Sequence, residues 1–309
     1  MNKFKNNKID ILGVKIDQIT TEAVLDKIKN FLESNSGHYI ATVNPEMIIA
    51  AQKDKKFQEI INNADIAIAD GIGILFAAFF LNSKIKKLKI NPVVKFAYPF
   101  TRFSSILSVE TINNINLFIY NLIIYICMLF IFPLAYIAKL TKPIPERIAG
   151  IDLIDKICEV DFIRKKRIYL LGGGKGIAEK SANILKKKYS YLNIVNSEMG
   201  IQYQYNLKKE NTELINRINR AKPDILFVAF GAPKQEKWIA ENLEKIPSVR
   251  LAIGVGGSFD FISGRVKRAP KIVRRIGLEW LWRFLLQPWR AKRIFTATIV
   301  FGWKVFWNG

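Results

Sequence analysis

The sequence has few of the residues that build disulfide frameworks and metal clusters. Among 309 residues there are two cysteines, Cys127 and Cys158, and one histidine, His38. Two cysteines give no disulfide framework, and a lone histidine cannot build a zinc site. The composition therefore argues against a disulfide-stapled or zinc-held fold, and the length suffices for a large buried core.

The first residues also lack the apolar core of a secretory signal peptide. They read MNKFKNNKIDILGVKID, with charged or polar residues at short intervals. A signal peptide needs an apolar run of about 7–15 residues after its basic start. We therefore expect the bulk of the chain to be cytosolic.

Acidic residues are scarce, and the shortage is local. The chain has 48 Lys and Arg against 26 Asp and Glu, a formal net charge of +22. Residues 1–83 are close to neutral, whereas residues 264–309 hold eleven basic residues and the single acidic residue Glu279. Such an excess favours an anionic partner: nucleic acid, an acidic membrane face or a phosphate-bearing substrate.

One long stretch has no charge at all. Thr111–Ala138 is 28 residues long, more than the roughly 20 apolar residues that span a bilayer. Lysines flank it on both sides, which by the positive-inside rule indicates that both flanks are cytoplasmic. We therefore expect residues 84–143 to be a membrane-associated insertion that enters as a re-entrant or in-plane hairpin. A buried core helix is the alternative, although core helices rarely stay apolar all round for so long.

The rest of the chain predicts an α/β fold. Short apolar segments alternate with amphipathic helical patterns, which is typical of a Rossmann-like, doubly wound and mostly parallel sheet. Residues 1–83 and 144–263 would together form this catalytic α/β domain. A first strand or hairpin edge is expected at Ile9–Ile16, and the apolar spacing predicts one helix between Val43 and Ala64. The expected sheet strands are Tyr39–Val43, Ala64–Ala69, Arg167–Leu171, Ile194–Ser197, Asp224–Phe230 and Leu251–Gly254.

Polar residues follow two of these strands where each ends. Thr42 and Asn44 lie at the end of one strand, and Asp70 ends the neighbouring one. In open α/β sheets ligands bind at the carboxyl ends of the strands, so the three side chains are expected at one cleft. A carboxylate there can act as a general base. The alternative is that Asp70 only caps the following helix and Asn44 only makes a turn.

A glycine-rich loop follows another strand. Gly172-Gly173-Gly174-Lys175-Gly176 precedes a helical pattern, an arrangement that offers backbone N–H groups to a phosphate. A tight turn without a ligand explains the loop equally well. An enzyme that uses a dinucleotide is a further alternative, but the third glycine and the matched acidic residue of that motif are missing.

The tail, residues 264–309, alternates basic residues with leucines and five tryptophans. Basic and aromatic residues at helical spacing predict a basic amphipathic appendage that binds an anionic membrane. A nucleic-acid-binding arm competes with this interpretation, and so does a membrane-binding scaffold without catalytic activity. The tryptophans and leucines favour lipid over nucleic acid because they need apolar burial.

Several motifs taken together resemble the WecG/TagA/CpsF glycosyltransferase family. The resemblance covers residues 8–83 and 144–293, and the insertion of about 60 residues replaces a short loop of the family. The motifs are T-V-N-P-E (Thr42–Glu46), A-D-G-I-G (Ala69–Gly73), P-E-R-I-A-G-I-D-L (Pro145–Leu153), L-G-G (Leu171–Gly173), F-G-A-P-K-Q-E (Phe230–Glu236), G-V-G-G-S-F-D (Gly254–Asp260) and R-A-P…G-L-E-W-L-W-R (Arg268–Arg283).

The resemblance implies an inverting transferase at the cytoplasmic face of the cell membrane. The donor would be UDP-N-acetylmannosamine and the acceptor N-acetylglucosaminyl-diphospho-undecaprenol. The product would be a β-1,4-linked disaccharide lipid for wall teichoic acid or another surface polysaccharide. A UDP-linked N-acetylmannosaminuronic acid or a UDP-hexose remains an alternative donor, and a homo-oligomer remains open.

The resemblance also implies roles for individual residues. Asp70 matches the catalytic base. Thr42, Asn44, Arg147 and Gln235 match polar groups of the active site. The candidate substrate-binding residues are Gly71, Gly172, Gly173, Gly231, Pro233, Lys234, Glu236, Gly257, Asp260, Arg283, Arg290 and Arg293, of which the three arginines belong to the tail. Since no D-x-D carboxylate pair sits at a strand end, we expect arginines to stabilise the leaving diphosphate, with no metal and no cofactor.

Overall fold

The computed structural model describes residues 7–82, 143–200 and 207–308. The predicted membrane-associated insertion, residues 84–143, therefore lies outside the described residues except for its last residue, Pro143. Within the described ranges, no helix has the length and apolar character needed to cross a bilayer.

A parallel six-stranded sheet forms the centre of the fold, in the order β4-β3-β8-β7-β5-β6, with a separate antiparallel pair β1-β2. This confirms the predicted α/β class and the parallel pairing of the first two sheet strands. The strands are β1 (Lys8–Ile11), β2 (Val14–Asp17), β3 (His38–Val43), β4 (Ile66–Ala69), β5 (Arg167–Gly172), β6 (Asn193–Glu198), β7 (Ile225–Ala229) and β8 (Leu251–Gly254).

Helices pack on both faces of the sheet, because successive residues of each strand point to opposite faces. Ile40 of β3 and Phe227 of β7 pack on one face, and Tyr39 and Val228 pack on the other. The helices are α1 (Thr21–Glu33), α2 (Pro45–Ala51), α3 (Lys55–Asn62), α4 (Ile72–Asn82), α5 (Gly150–Glu159), α6 (Ile177–Lys188), α7 (Leu207–Ala221), α8 (Lys234–Asn242), α9 (Ser258–Ile262), α10 (Lys271–Arg275), α11 (Glu279–Leu286), α12 (Ala291–Phe295) and α13 (Phe301–Asn308).

The polypeptide between β3 and β4 forms two helices, whereas the apolar spacing predicts one. α2 ends at Ala51, and Asp54 starts α3 by accepting a hydrogen bond from the Phe57 amide at 3.0 Å. A side-chain acceptor at this position satisfies an amide that has no partner inside the helix. The break lets both helices bury their apolar residues on the same face of the sheet.

The tail consists of short helices with two different environments. Phe301 and Val305 of α13 are buried in the main core, and the Phe306 ring lies 5.3 Å from that of Phe80 in α4. By contrast, α11 and the turn after it expose Leu285 and Trp289. The predicted appendage, residues 264–309, is thus anchored in the core at its end and exposes apolar side chains before it.

Candidate active site

The carboxyl ends of the sheet strands meet at a cavity of about 710 Å³. Its walls come from the polypeptide after β3, β4, β5, β6, β7 and β8 together with α11, α12 and α13. The predicted site residues that line it are Thr42, Asn44, Asp70, Gly71, Arg147, Gly173, Gly231, Lys234, Gln235, Gly257, Asp260, Arg283, Arg290 and Arg293. The convergence expected from parallel strand ends is therefore present in the structure.

Asp70 lies directly after β4 and faces this cavity. Its Oδ1 accepts a hydrogen bond from the Gly150 amide, 3.2 Å away, at the start of α5. The predicted alternative was a cap on the following helix, α4, but this bond joins Asp70 to a helix that begins 80 residues later. Gly71, next in the chain, lets α2 approach closely, since a Cβ there would lie 2.9 Å from Pro45 Cδ.

Burial raises the pKa of the Asp70 carboxyl to about 6. The positive charges of Arg147 and Arg283 and the Gly150 amide lower this pKa, and the negative charge of Glu279 raises it. Three charged side chains thus shift the pKa of this carboxyl in opposite directions. A carboxylate with a pKa close to neutral accepts a proton better than an ordinary aspartate and is still ionised at pH 7.

Thr42 and Asn44 both hydrogen-bond to other residues of the protein at the end of β3. The Thr42 hydroxyl donates to the Gly254 carbonyl at 2.6 Å, which links β3 to β8. Asn44 caps α2, since its Oδ1 accepts from the Met47 amide at 3.1 Å. The turn-forming alternative for Asn44 is therefore present, and the residue also lines the cavity.

The polypeptide that follows residue 142 returns to the end of β4. The Ile148 amide donates to the Ala69 carbonyl at 2.9 Å, one residue before Asp70. Arg147 is thereby held at the cavity wall, where its Nη2 lies 3.2 Å from Glu279 Oε2. An insertion before Pro145 therefore leaves Arg147 at the site.

Gln235 connects two of the strand-end loops. Its Oε1 accepts from the amides of Gly231, at 3.1 Å, and Gly256, at 2.9 Å, so the loops after β7 and β8 share one acceptor. Its Nε2 donates to Glu236 Oε1 at 2.7 Å. The Gln235 side chain is 1% exposed, so in this arrangement its amide is occupied in holding the loops together.

Three predicted substrate-binding residues do not line the cavity: Gly172, Pro233 and Glu236. Gly172 has φ +114° and packs against β7, where a Cβ would lie 2.7 Å from the Ala229 backbone. Pro233 precedes α8 in the turn, after a cis peptide bond. The Glu236 side chain is fully buried, which raises its pKa to about 7. These residues belong to the strand ends, the loops that follow them and the start of α8 but do not line the cavity.

Three arginines of the tail reach into the cavity. Arg283 lies over the Phe261 ring at 4.6 Å, and its buried Nε has no hydrogen-bond partner among the described residues. Arg293 pairs with Glu46 at 2.7 Å. Burial, followed by the nearby charges of Arg283 and Arg293, lowers the pKa of Arg290 to about 10. The cluster is thus electropositive and incompletely neutralised, which suits an anion with several oxygens.

The sequence interpretation missed Glu279 and the ion pairs around it. Glu279 lies between Arg147 and Arg268, and Arg268 in turn makes a bidentate salt bridge to Asp152 at 2.6 Å. The available signal was that Glu279 is the single acidic residue among eleven basic residues in the tail. A carboxylate among basic residues is attracted to their charges, and here Glu279 joins the tail to the α/β domain through Arg147.

Apolar side chains also line the cavity. They include Phe76 of α4, Ile294 of α12, Phe301 of α13 and Met47 of α2. The cavity therefore combines the polar groups of Asp70 and the arginines with apolar side chains from α2, α4 and the tail. No group of three His, Cys, Asp or Glu side chains in the described residues is arranged to hold a metal ion.

Comparisons with known proteins agree with the motifs. The sequence model of the glycosyl transferase WecG/TagA/CpsF family matches residues 9–97 and 131–309. A protein of Staphylococcus aureus (strain MRSA252) named N-acetylglucosaminyldiphosphoundecaprenol N-acetyl-beta-D-mannosaminyltransferase is 26% identical over 289 residues, 93% of this chain and 88% of that protein. The protein of the same name from strain NCTC 8325 / PS 47 has the same identity and coverage. Since the family model spans most of its length, this chain belongs to the WecG/TagA/CpsF glycosyl transferase family.

Proposed function

We propose that the chain transfers N-acetylmannosamine from UDP-N-acetylmannosamine to N-acetylglucosaminyl-diphospho-undecaprenol, with inversion and a β-1,4 linkage. The names of the Staphylococcus aureus relatives support the sugar and the acceptor. The observation that supports the chemistry is the position of Asp70, a carboxylate with a pKa of about 6 in the cavity that the tail arginines also line. A role in wall teichoic acid or another surface polysaccharide follows from this product.

Asp70 acts as the general base in the proposed reaction. It takes the proton of the acceptor 4-hydroxyl while that oxygen attacks the anomeric carbon of the donor. The new C–O bond forms on the face opposite UDP, the bond to the diphosphate oxygen breaks, and UDP leaves with its electron pair. Inversion needs a single displacement, so one carboxylate suffices.

Arginines supply the charge that the leaving diphosphate needs. Arg283, Arg290 and Arg293 line the cavity, and the pKa of Arg290 is lowered by burial and by its positive neighbours. A diphosphate would relieve that repulsion, since guanidinium groups bind phosphate oxygens through paired hydrogen bonds. The strand-end glycines Gly173, Gly257 and their neighbours would approach the nucleotide.

Transfer is therefore expected to be independent of metal ions. We expect the initial rate in EDTA to match the rate in Mg²⁺, because the positive charge at the diphosphate comes from arginine side chains. The measurement is product formation by purified protein that has been dialysed against chelator. Loss of activity in EDTA that added Mg²⁺ or Mn²⁺ restores would contradict the assignment.

A panel of UDP-sugars with one synthetic acceptor tests the proposed donor. We expect N-acetylmannosamine to be transferred in preference to its uronic acid, N-acetylglucosamine and glucose, and NMR coupling constants of the product to give the β configuration. Preference for the uronic acid or a hexose would overturn the donor and leave the reaction class standing. No transfer from any UDP-sugar would contradict the proposed function.

We also propose that the tail binds the anionic cytoplasmic face of the cell membrane, together with the insertion of residues 84–143. Ile272, Leu285 and Trp289 are 73%, 69% and 76% exposed in a segment rich in Lys and Arg. Large apolar side chains gain free energy in the interfacial region of a bilayer, whereas the basic residues are attracted to anionic headgroups. This combination favours lipid over nucleic acid as the partner.

Replacing Leu285 and Trp289 together by serine is expected to weaken binding to anionic vesicles by at least about tenfold, because burying each side chain contributes roughly 1.5–3 kcal/mol. Co-sedimentation with vesicles of anionic and zwitterionic lipid measures this. The matched control is Ile184→Ser, which removes an exposed apolar side chain of α6. Equal binding by the double variant and the control would contradict the tail's role.

A further inference from the structure

Glu279 is the first residue of α11 and lies between two arginines of different segments. Its Oε2 is 3.2 Å from Arg147 Nη2, and its Oε1 is 3.7 Å from Arg268 Nε. The side chain is 16% exposed, and that of Arg147 is 17% exposed. A salt bridge with this little exposure is only weakly screened by solvent and fixes the positions of both groups.

Besides Glu279, two carboxylates lie within electrostatic reach of Arg147: Asp152, which Arg268 already holds in a bidentate salt bridge, and Asp70. Arg147 and Asp70 both line the cavity, and the Arg147 charge acts on the Asp70 carboxyl. An arginine that paired directly with Asp70 would stabilise the ionised form and make the carboxylate a weaker proton acceptor. In the structure Arg147 is engaged with Glu279, and Asp70 Oδ1 accepts from the Gly150 amide.

We propose that Glu279 is a positioning residue for the transfer reaction: its salt bridge holds the Arg147 guanidinium and keeps it from pairing with Asp70. The proposal rests on the function proposed above. It assigns a role to a residue that lines the cavity but is not among the catalytic or substrate-binding residues expected from the sequence. Glu279 acts on the reaction by holding Arg147 and through the effect of its own negative charge on the Asp70 carboxyl.

The arrangement makes the site depend on docking of the tail. Glu279 and Arg283 are four residues apart on α11, so both point to the same side of the helix. The charged groups that act on Asp70 are Arg147 from the loop before α5, Glu279 and Arg283 from α11, and Arg268 from the segment before α10. If α11 undocks, Asp70 loses Glu279 and Arg283 together and keeps Arg147, which is then free to pair with it.

The test is the pH dependence of kcat/KM for Glu279→Gln. The variant removes a negative charge near Asp70 and releases Arg147, and both changes favour the ionised carboxylate. We expect the acid limb to move from about pH 6 down by about one unit, as is usual for an arginine beside an aspartate. Because a weaker base transfers protons more slowly, we expect the plateau rate to fall roughly three- to tenfold.

A double variant separates this role from a purely structural one. In an Arg147→Met background, Glu279→Gln should shift the acid limb much less, since no guanidinium remains to be released. Glu46→Gln, which breaks the Arg293 pair at the same cavity, should leave the limb where it is. If Glu279→Gln does not fold, Glu279→Asp keeps the charge one methylene further back and should give a smaller downward shift.

An acid limb that does not move in Glu279→Gln, or that moves equally with and without Arg147, overturns the proposal. An unaltered protein without transferase activity contradicts the proposed function. An active protein whose acid limb of kcat/KM is the same with and without Glu279 contradicts only the role of this residue.

Discussion

Asp70→Asn is expected to lower the rate of sugar transfer by about 10²- to 10⁴-fold, the usual cost of removing a general base. Asparagine has nearly the same shape, and its side-chain oxygen can still accept the hydrogen bond from the Gly150 amide. It cannot take the proton of the acceptor hydroxyl. Donor binding should therefore survive, because the arginines and the strand-end glycines are unchanged.

Single-turnover transfer and calorimetric titration with UDP measure the two quantities separately. The matched control is Asp161→Asn, the same chemical change at a surface carboxylate whose side chain is 90% exposed and pairs with Arg164. We expect wild-type transfer from the control. A rate close to wild type in Asp70→Asn, with donor binding intact, would remove Asp70 from the role of base.

Arg290→Gln is expected to lower kcat/KM for the donor by about 10²- to 10³-fold, as the loss of one preorganised charge-stabilising group does. Arg290 lies among positive neighbours, and burial together with those charges lowers its pKa to about 10. Arg290 remains charged at neutral pH, and a folded-state pKa below the ordinary value means that this charge destabilises the folded protein relative to the unfolded chain. The substitution should therefore leave the melting temperature of the ligand-free protein unchanged or raise it.

A fall in kcat/KM without a fall in melting temperature indicates that a residue serves binding rather than the stability of the fold. Arg275→Gln is the control, because it removes the same charge from an exposed position of the same tail. We expect near wild-type kcat/KM from the control. A fall in melting temperature of Arg290→Gln that parallels its loss of activity would instead indicate that Arg290 supports the fold.

The strand ends could be predicted from the sequence because parallel strands are buried on both faces. Continuous apolar segments such as Ile66–Ala69 stand out, and a polar residue that directly follows one, such as Asp70, must lie at the sheet edge where the other strands also end. For this reason the sequence alone predicts that Thr42, Asn44 and Asp70 share one cleft. The break between α2 and α3 was missed because the apolar spacing runs through it, and Asp54 acts there through a cap.

Contacts between segments that are far apart in the chain could not be predicted from the sequence patterns. Glu279 and Arg147 are 132 residues apart, and their salt bridge depends on how α11 docks against the loop before α5. Glu236 belongs to a motif beside residues that line the cavity, but helix geometry turns its side chain into the core. Likewise α13 looks like an interfacial helix by composition, whereas Phe301 and Val305 complete the core. Composition does not distinguish a helix whose apolar side chains pack against lipid from one whose apolar side chains pack against the protein core.

The most direct test of the account is the pH dependence of transfer by the unaltered protein, from UDP-N-acetylmannosamine to a short-chain N-acetylglucosaminyl-diphospho-lipid. If Asp70 is the base, kcat/KM is level near neutral pH and falls tenfold per pH unit below an apparent pKa of about 6. A rate that stays level down to about pH 4.5, close to the pKa of an ordinary carboxyl, would contradict it.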